Sequence, residues 1–323
     1  METAERYPYL YLTRPARNPR GFETRERRGS SHQCRGRTMR WARRLAPFRR
    51  VLSATAAHEP PLITQRTGSV AILKFNRPQQ LNAMTADMGN LFQQTVDKLC
   101  EECDHGNVRA VVLTGTGDQA FSAGGDLNWL IERTKDTPAR NAVIMRNFYQ
   151  CFLSIRKLPV PVVAAINGHA IGAGCCISLA CDVRIAHPRA KIGVNFVSIG
   201  LHPGMGCTYF LPRLVGPQVA TRMMLTGELV TAEQALTEKL INSVSRDPVE
   251  EATEIAQRMG NQGPIASRTC IKTIRAQVDV GLDAALWREA DAQAQCYASK
   301  DVVEGVAAVR EKRAACFDTL RVE

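Results

Sequence analysis

Two turns built almost wholly from small residues constrain this chain more than any other feature. They are Phe121-Ser122-Ala123-Gly124-Gly125-Asp126-Leu127 and Asn167-Gly168-His169-Ala170-Ile171-Gly172-Ala173-Gly174-Cys175-Cys176. Each follows an apolar, strand-like run and opens a helix. The first turn of a helix has amides without internal partners and lies at the positive end of the helix dipole. Two such ends aimed at one point would hold a developing oxyanion. Side chains are nearly absent at Gly125 and Ala173, so a carbonyl can approach the main chain closely.

Around these turns the chain reads as repeated strand, turn and helix. Ser69 to Asn76 is strand-like and stops at Arg77-Pro78. Thr85 caps an amphipathic helix running through Leu99. Val108 to Thr114 is a continuous β-rich run that reads as a buried parallel strand, Val160 to Ile166 is a second buried strand, and Val183 to Ala186 is a third. Leu127 to Ile131 opens a helix, the charged stretch from Glu132 to Arg140 reads as mobile, and Ala142 to Ile155 is helical. From about Gln218 the pattern is helical almost throughout, with starts at Thr231 and Pro264. The alternation indicates an α/β fold.

The two turns, with Phe75-Asn76-Arg77-Pro78 and Leu81-Asn82-Ala83-Met84 upstream, resemble the crotonase (enoyl-CoA hydratase/isomerase) superfamily over roughly residues 62 to 317. All four motifs stand in the order and spacing of that family. The resemblance implies a crotonase-like ββα spiral core over residues 59–250 and a C-terminal helical association region over 251–323. It also implies a trimer or a pair of trimers. Coenzyme A enters as part of an acyl-CoA substrate, with no permanently bound cofactor and no metal. The thioester oxygen would be held by the amides of Gly125 and Ala173. Ala83, Ala123, Asp126, Leu127, Asn128 and Phe196 would line the substrate, and Lys312, in the closing helix Val302 to Arg313, would meet its phosphate-rich end.

Hydration of an enoyl thioester needs groups to take and give protons, and paired carboxylates do this well. In the hydratases of the family, one Glu lies three residues beyond the second oxyanion amide and another about twenty further on. Those positions here are Cys176 and Phe196. A thiol titrates about four units above a carboxylate in solution, and a phenyl ring transfers no proton. The proton-transfer group is therefore sought nearby. His202, in Gly200-Leu201-His202-Pro203-Gly204, titrates in the right range. Cys176 would gain acidity from the start of its helix. His169 and Asn195 are further polar candidates, Asp126 is read as a helix cap, and Asp182 as the tie of a strand end. Two functions follow: an enzyme that stabilises a thioester enolate, or an acyl-CoA-binding relative without turnover that serves as a partner subunit or sensor.

The formal net charge of +11 is concentrated at one end. Residues 1–58 hold 14 Arg, no Lys and four Glu, a net of +10, and leave the remainder at +1. That distribution argues against nucleic-acid binding by the folded part. From Met39 to Ser53 the segment sets Trp41, Leu45, Phe48 and Leu52 at helical spacing among Arg residues, with no acid before Glu59. This is the composition of a mitochondrial transit peptide, which would place the protein in the matrix; a disordered basic tail without an address is the other reading of residues 1–58. Pro47 interrupts the pattern. No apolar run reaches the roughly 18 to 20 residues of a membrane span. The 11 Cys are scattered along the chain. In a reducing compartment they are thiols rather than staples, and Cys100-Glu101-Glu102-Cys103 lacks the second pair that structural zinc needs.

Overall fold

The computed structural model describes residues 59–317, so the basic segment and its Met39 start lie outside the described residues. Residues 60–317 belong to one compact unit. Among the described residues ten strands form two sheets. β1 (Leu62–Thr67), β2 (Val70–Phe75), β3 (Ala110–Gly115), β5 (Val162–Ile166), β7 (Val183–Ala186) and β10 (Ser243–Val244) make the larger sheet in that order. The smaller has the order β4 (Ala120–Ser122), β6 (His169–Ile171), β8 (Lys191–Gly193) and β9 (Val230–Thr231). β1 pairs antiparallel with β2, and the rest of the large sheet is parallel. Each pass of chain gives one strand to the large sheet and the next to the small one, as in β3–β4, β5–β6 and β7–β8. That is the ββα spiral that the sequence implied.

The apolar runs explain the layering. Side chains alternate across a strand, so Ala71, Leu73, Phe75, Val111, Leu113, Val162, Ala164 and Ile166 face the main core. Val70, Ile72, Ala110, Val112, Val163, Ala165 and Ile185 face the other way. That second face is covered by α7 (Pro248–Gly260) through Ala252 and Ala256. The division expected near residue 250 thus falls inside a helix that seals the sheet.

On the core side lie α1 (Ala86–Asp104), α2 (Leu127–Arg133) and α3 (Pro138–Leu153). Phe75, at the end of β2, touches Phe92 of α1 at 5.9 Å between ring centroids and Phe121 of β4 at 5.7 Å. The aromatic cluster therefore anchors the strand that leads into the first small-residue turn. The stretch from Glu132 to Arg140, expected to be mobile, is instead a tied turn. Arg133 and Arg140 both pair with Asp136, Asn141 donates to the Arg133 carbonyl at 2.7 Å, and Thr137 caps α3 ahead of Pro138. Opposite charges three and four residues apart, together with proline at the first helical position, produce it.

The remaining helices are α4 (Ala173–Leu179), α5 (Cys207–Thr226), broken at Gly216, α6 (Ala232–Thr237), α8 (Pro264–Val278), α9 (Leu282–Tyr297) and α10 (Asp301–Glu311). α9 lies against α3 and buries Leu286, Glu289, Ala290, Gln293, Ala294 and Tyr297. α10 packs on the 3-10 turn Asn195–Ile199, where Gly305 leaves room for the Ile199 backbone. Asp182 ties the start of β5 by accepting from Val162 N at 2.8 Å. Among the described residues no helix is long and apolar enough to cross a membrane.

Candidate active site

The first turn is held on one edge only. Met84 N donates to Gly124 O at 2.7 Å and Asp126 N donates to Met84 O at 2.9 Å, an isolated parallel bridge opposite Gly125. In such a bridge the residue between the two bonded neighbours turns its own N–H to the other edge. Gly125 N–H therefore faces away from Met84, and no acceptor takes it among the described residues. Ala173 opens α4, so its N–H has no helical partner either. The two turns meet directly. A Cβ on Gly124, whose φ is +93°, would lie 3.3 Å from Ala173 N and 2.8 Å from Ile171 O. Gly174 is likewise pressed against the Ser122 backbone. Only glycine allows this approach, which sets the turn that carries Gly125 against the Ala173 amide.

Supporting bonds fix the first turn from below. Ala123 N donates to Leu81 O at 2.9 Å, and Ser122 Oγ donates to Asn82 O at 2.8 Å while accepting from Gly124 N. Asp126 caps α2, accepting from Asn128 N at 3.0 Å, as its position suggested. Its other carboxylate oxygen lies 3.5 Å from the Arg77 guanidinium, which donates to Ala83 O at 2.6 Å. Ala83, Asp126 and Gly125 are thus one connected surface, with half-buried Leu127 following. Asn128 accepts from Arg310 of α10 at 2.6 Å. That contact brings the end of the last helix, with exposed Lys312 in a left-handed cap, onto the α2 side.

Behind Ala173 the 3-10 turn supplies Asn195 and Phe196. Asn195 Oδ1 lies 3.5 Å and Phe196 Cζ 4.0 Å from the point where a Cβ on Gly172 would stand. Cys176 is elsewhere. It is fully buried in the core, hydrogen-bonded to Cys207, and burial pushes its thiol well above the ordinary value. The acidity expected from the helix start is overridden by desolvation. His169 spends its Nδ1 on the Lys191 amide at 3.1 Å, and burial lowers its basicity.

His202 is half-buried. Its Nδ1 lies 2.6 Å from Pro203 O, and burial holds its pKa below the ordinary value. A carbonyl only accepts, so Nδ1 carries the proton and Nε2 keeps the lone pair. Its loop is gripped by α9. Gln293 Nε2 donates to His202 O at 2.7 Å, and Tyr149 OH donates to Gln293 Oε1 at 2.7 Å. Glu289 accepts from Gly206 N at 2.7 Å and from Thr208 N at 2.8 Å, capping α5. Tyr149, Glu289 and Gln293 were not singled out in the sequence. Glu289 and Gln293 stand four apart on the buried stripe of α9, and a carboxylate and an amide on such a stripe are the one signal that could have found them.

This geometry agrees with comparisons to other proteins. Residues 65–319 match the profile of the family described as enoyl-CoA hydratase/isomerase. The chain is similar to a crotonyl-CoA hydratase of Syntrophomonas wolfei, 33% identical over 258 residues that cover 79% of this chain and 97% of the relative. It is also similar to the mitochondrial methylglutaconyl-CoA hydratase of Mus musculus, 30% identical over 84% of this chain and 88% of the relative. Among solved structures, the enoyl-CoA hydratase/isomerase of Pseudoalteromonas atlantica superposes with a TM-score of 0.70 at 30% identity, covering 80% of this chain and 100% of that one.

Proposed function

This chain belongs to the enoyl-CoA hydratase/isomerase family, and from that premise we propose that it is an acyl-CoA enzyme holding a thioester enolate between the amides of Gly125 and Ala173. The observation that carries the reading is the contact of Gly124 with Ala173, which joins two turns that each carry an N–H without an acceptor among the described residues. Donors fixed in advance at the place where charge develops need no reorganisation when the enolate forms.

Proton transfer is assigned to His202 rather than to a pair of glutamates. Cys176 is sealed in the core and Phe196 carries no proton. The neutral tautomer of His202, with a free Nε2, suits a base at neutral pH. Isomerisation or α-proton exchange fits one such base better than hydration by two carboxylates. The alternative of a binding subunit without turnover has no specific observation in its favour.

The test is deuterium exchange at the α carbon, with the purified protein given crotonyl-CoA and a 3-enoyl-CoA in heavy water. Exchange that depends on His202 is expected. A protein that exchanges neither substrate ends the enolate reading, and full exchange by His202→Ala removes that residue from it.

Two broader assignments accompany this one. Exposed Ile265, Ile274, Val280 and Trp287 on or beside α8 and α9 support an oligomer built through the C-terminal helices, to be checked by sedimentation. The arginine-rich stretch beginning at Met39 supports a mitochondrial address, to be checked by sequencing the mature N-terminus. A mature chain that begins near Met1 would refute the address.

A further inference from the structure

We propose that Gln293 is a positioning residue for the base: locked by Tyr149, its amide fixes the His202 peptide and so selects the ring tautomer that leaves Nε2 free. This rests on the assignment of proton transfer to His202 above.

The amide can sit only one way. The His202 carbonyl accepts and cannot donate, so the nitrogen of Gln293 faces it, at 2.7 Å. Oε1 then faces Tyr149, whose hydroxyl must be the donor, also at 2.7 Å. Gln293 and Tyr149 are each 2% exposed. Around them lie Leu286, Ala290 and Ala294 of α9 and Phe148 and Phe152 of α3, an apolar seam in which a leucine and a phenylalanine would carry no desolvation cost. Replacing both members of a buried hydrogen-bonded pair by apolar groups of similar shape is close to neutral for stability. Packing alone therefore does not call for the amide. What it does that an apolar side chain cannot do is hold one particular carbonyl.

That carbonyl belongs to the loop whose path decides the state of the ring. His202 Nδ1 lies 2.6 Å from Pro203 O, and this bond sets which nitrogen carries the proton. Pro203 O meets Nδ1 only while the loop keeps its path. Three residues on one face of α9 hold it there: Gln293 at His202 O, Cys296 at the His202 backbone, and Glu289 at Gly206 N. The Tyr149 hydroxyl fills the space beside Gly204, where a Cβ would collide with it. Between these holds, Met205 and Gly206 take φ of +59° and +77°, and the strain at Met205 has to be sustained by the surroundings. Gln293 is itself locked by Tyr149, so a chain of two hydrogen bonds runs from α3 through α9 to the residue that bears the base. Without the Gln293 donor the His202 peptide turns toward water and Pro203 O leaves Nδ1. The ring then reverts to the Nε2–H tautomer that free histidine prefers, with its lone pair on the wrong nitrogen.

The experiment measures α-deuterium exchange of a 3-enoyl-CoA per folded molecule, together with the ring-nitrogen NMR shifts of His202, assigned as the signals absent from His202→Ala. Gln293→Leu should lower kcat about 10- to 100-fold and change KM less than about 2-fold, the signature of a misplaced group rather than of lost binding. Its ring shifts should move from the Nδ1–H toward the Nε2–H pattern. Tyr149→Phe, which frees the amide to turn, should shift both readouts the same way by a smaller factor. The double variant should be no worse than Gln293→Leu alone, because Tyr149 acts through Gln293. Exchange or ring shifts that stay unchanged in Gln293→Leu overturn the proposal and leave His202 as the base, and so does a rise in KM at unchanged kcat. Losses that multiply in the double variant overturn the chain from Tyr149. A wild-type protein without His202-dependent exchange overturns the base assignment and this proposal together. Should Gln293→Leu fail to fold, Tyr149→Phe, which removes a single oxygen, carries the same comparison.

Discussion

Gly124 and Ala173, 49 positions apart in the chain, are in direct backbone contact: a single added carbon on Gly124 would come within 3.3 Å of Ala173 N. This contact sets the spacing of the two amides assigned to the thioester oxygen. It also holds Gly124 at a φ of +93°, where side chains are strained.

Gly124→Ala is accordingly expected to destabilise the protein by about 1–3 kcal/mol through backbone strain. It should lower α-proton exchange more than the folded fraction falls. Urea unfolding and exchange measured on the same preparation separate the two effects. Unchanged exchange per folded molecule would mean that the turns do not act together.

His202 should give the rate an acid limb. Burial holds its pKa below the ordinary 6.5, so the base is neutral at pH 7 and becomes protonated only as pH falls below that value. Exchange should therefore rise with pH through a pKa under 6.5 and level off before neutrality. His202→Gln should lose both the limb and most of the rate. A limb that survives in His202→Gln belongs to another group.

Glu289 sits in the core with its carboxyl pushed above the usual range by burial, although three donated hydrogen bonds oppose the shift. A carboxyl whose folded pKa is raised contributes stability that is complete below the unfolded value and is lost as pH rises through the folded one. Glu289→Gln does not titrate. Its deficit, about 1–3 kcal/mol for misplaced donors, should be largest near pH 4 and shrink as pH rises. Thermal melts from pH 4 to 8 would show the gap closing. A gap that widens with pH contradicts the assignment.

Buried Arg275 and half-buried Asp182 form a pair with hydrogen bonds of 2.6 and 3.1 Å, and Arg275 also donates to the carbonyls of Arg156, Leu158 and Val160. Removing Arg275 leaves three carbonyls without their donor and Asp182 with only Val162 N and the Arg156 guanidinium, 3.8 Å away. Arg275→Met should cost about 3–5 kcal/mol. The double variant Arg275→Met with Asp182→Asn should recover part of that loss. Denaturant unfolding measures both, and equal losses in the two would show that the pair is not coupled.

The sequence by itself determined the layers and the two turns. Runs such as Ala110 to Leu113 and Val162 to Ile166 are apolar at every position because both faces are covered, and that is a local property of the chain. Caps at Thr85 and Asp126 are equally local, since each follows from residue type within a few positions. What only the tertiary structure decided is which polar groups face the site. Cys176 stands at the start of a helix, where its sequence neighbours argue for acidity, yet the packing of α5 against α4 buries it beside Cys207 and reverses the shift. The His202 carbonyl is held by Gln293, 91 residues further on, and Gln293 by Tyr149, 144 residues before it. Asn195 meets the oxyanion turn across a gap that no spacing records. Periodicity fixes which face of an element is buried; the partner it is buried against is set by how helices and sheets close on one another, and desolvation and hydrogen bonding, which tune chemistry, depend on that partner.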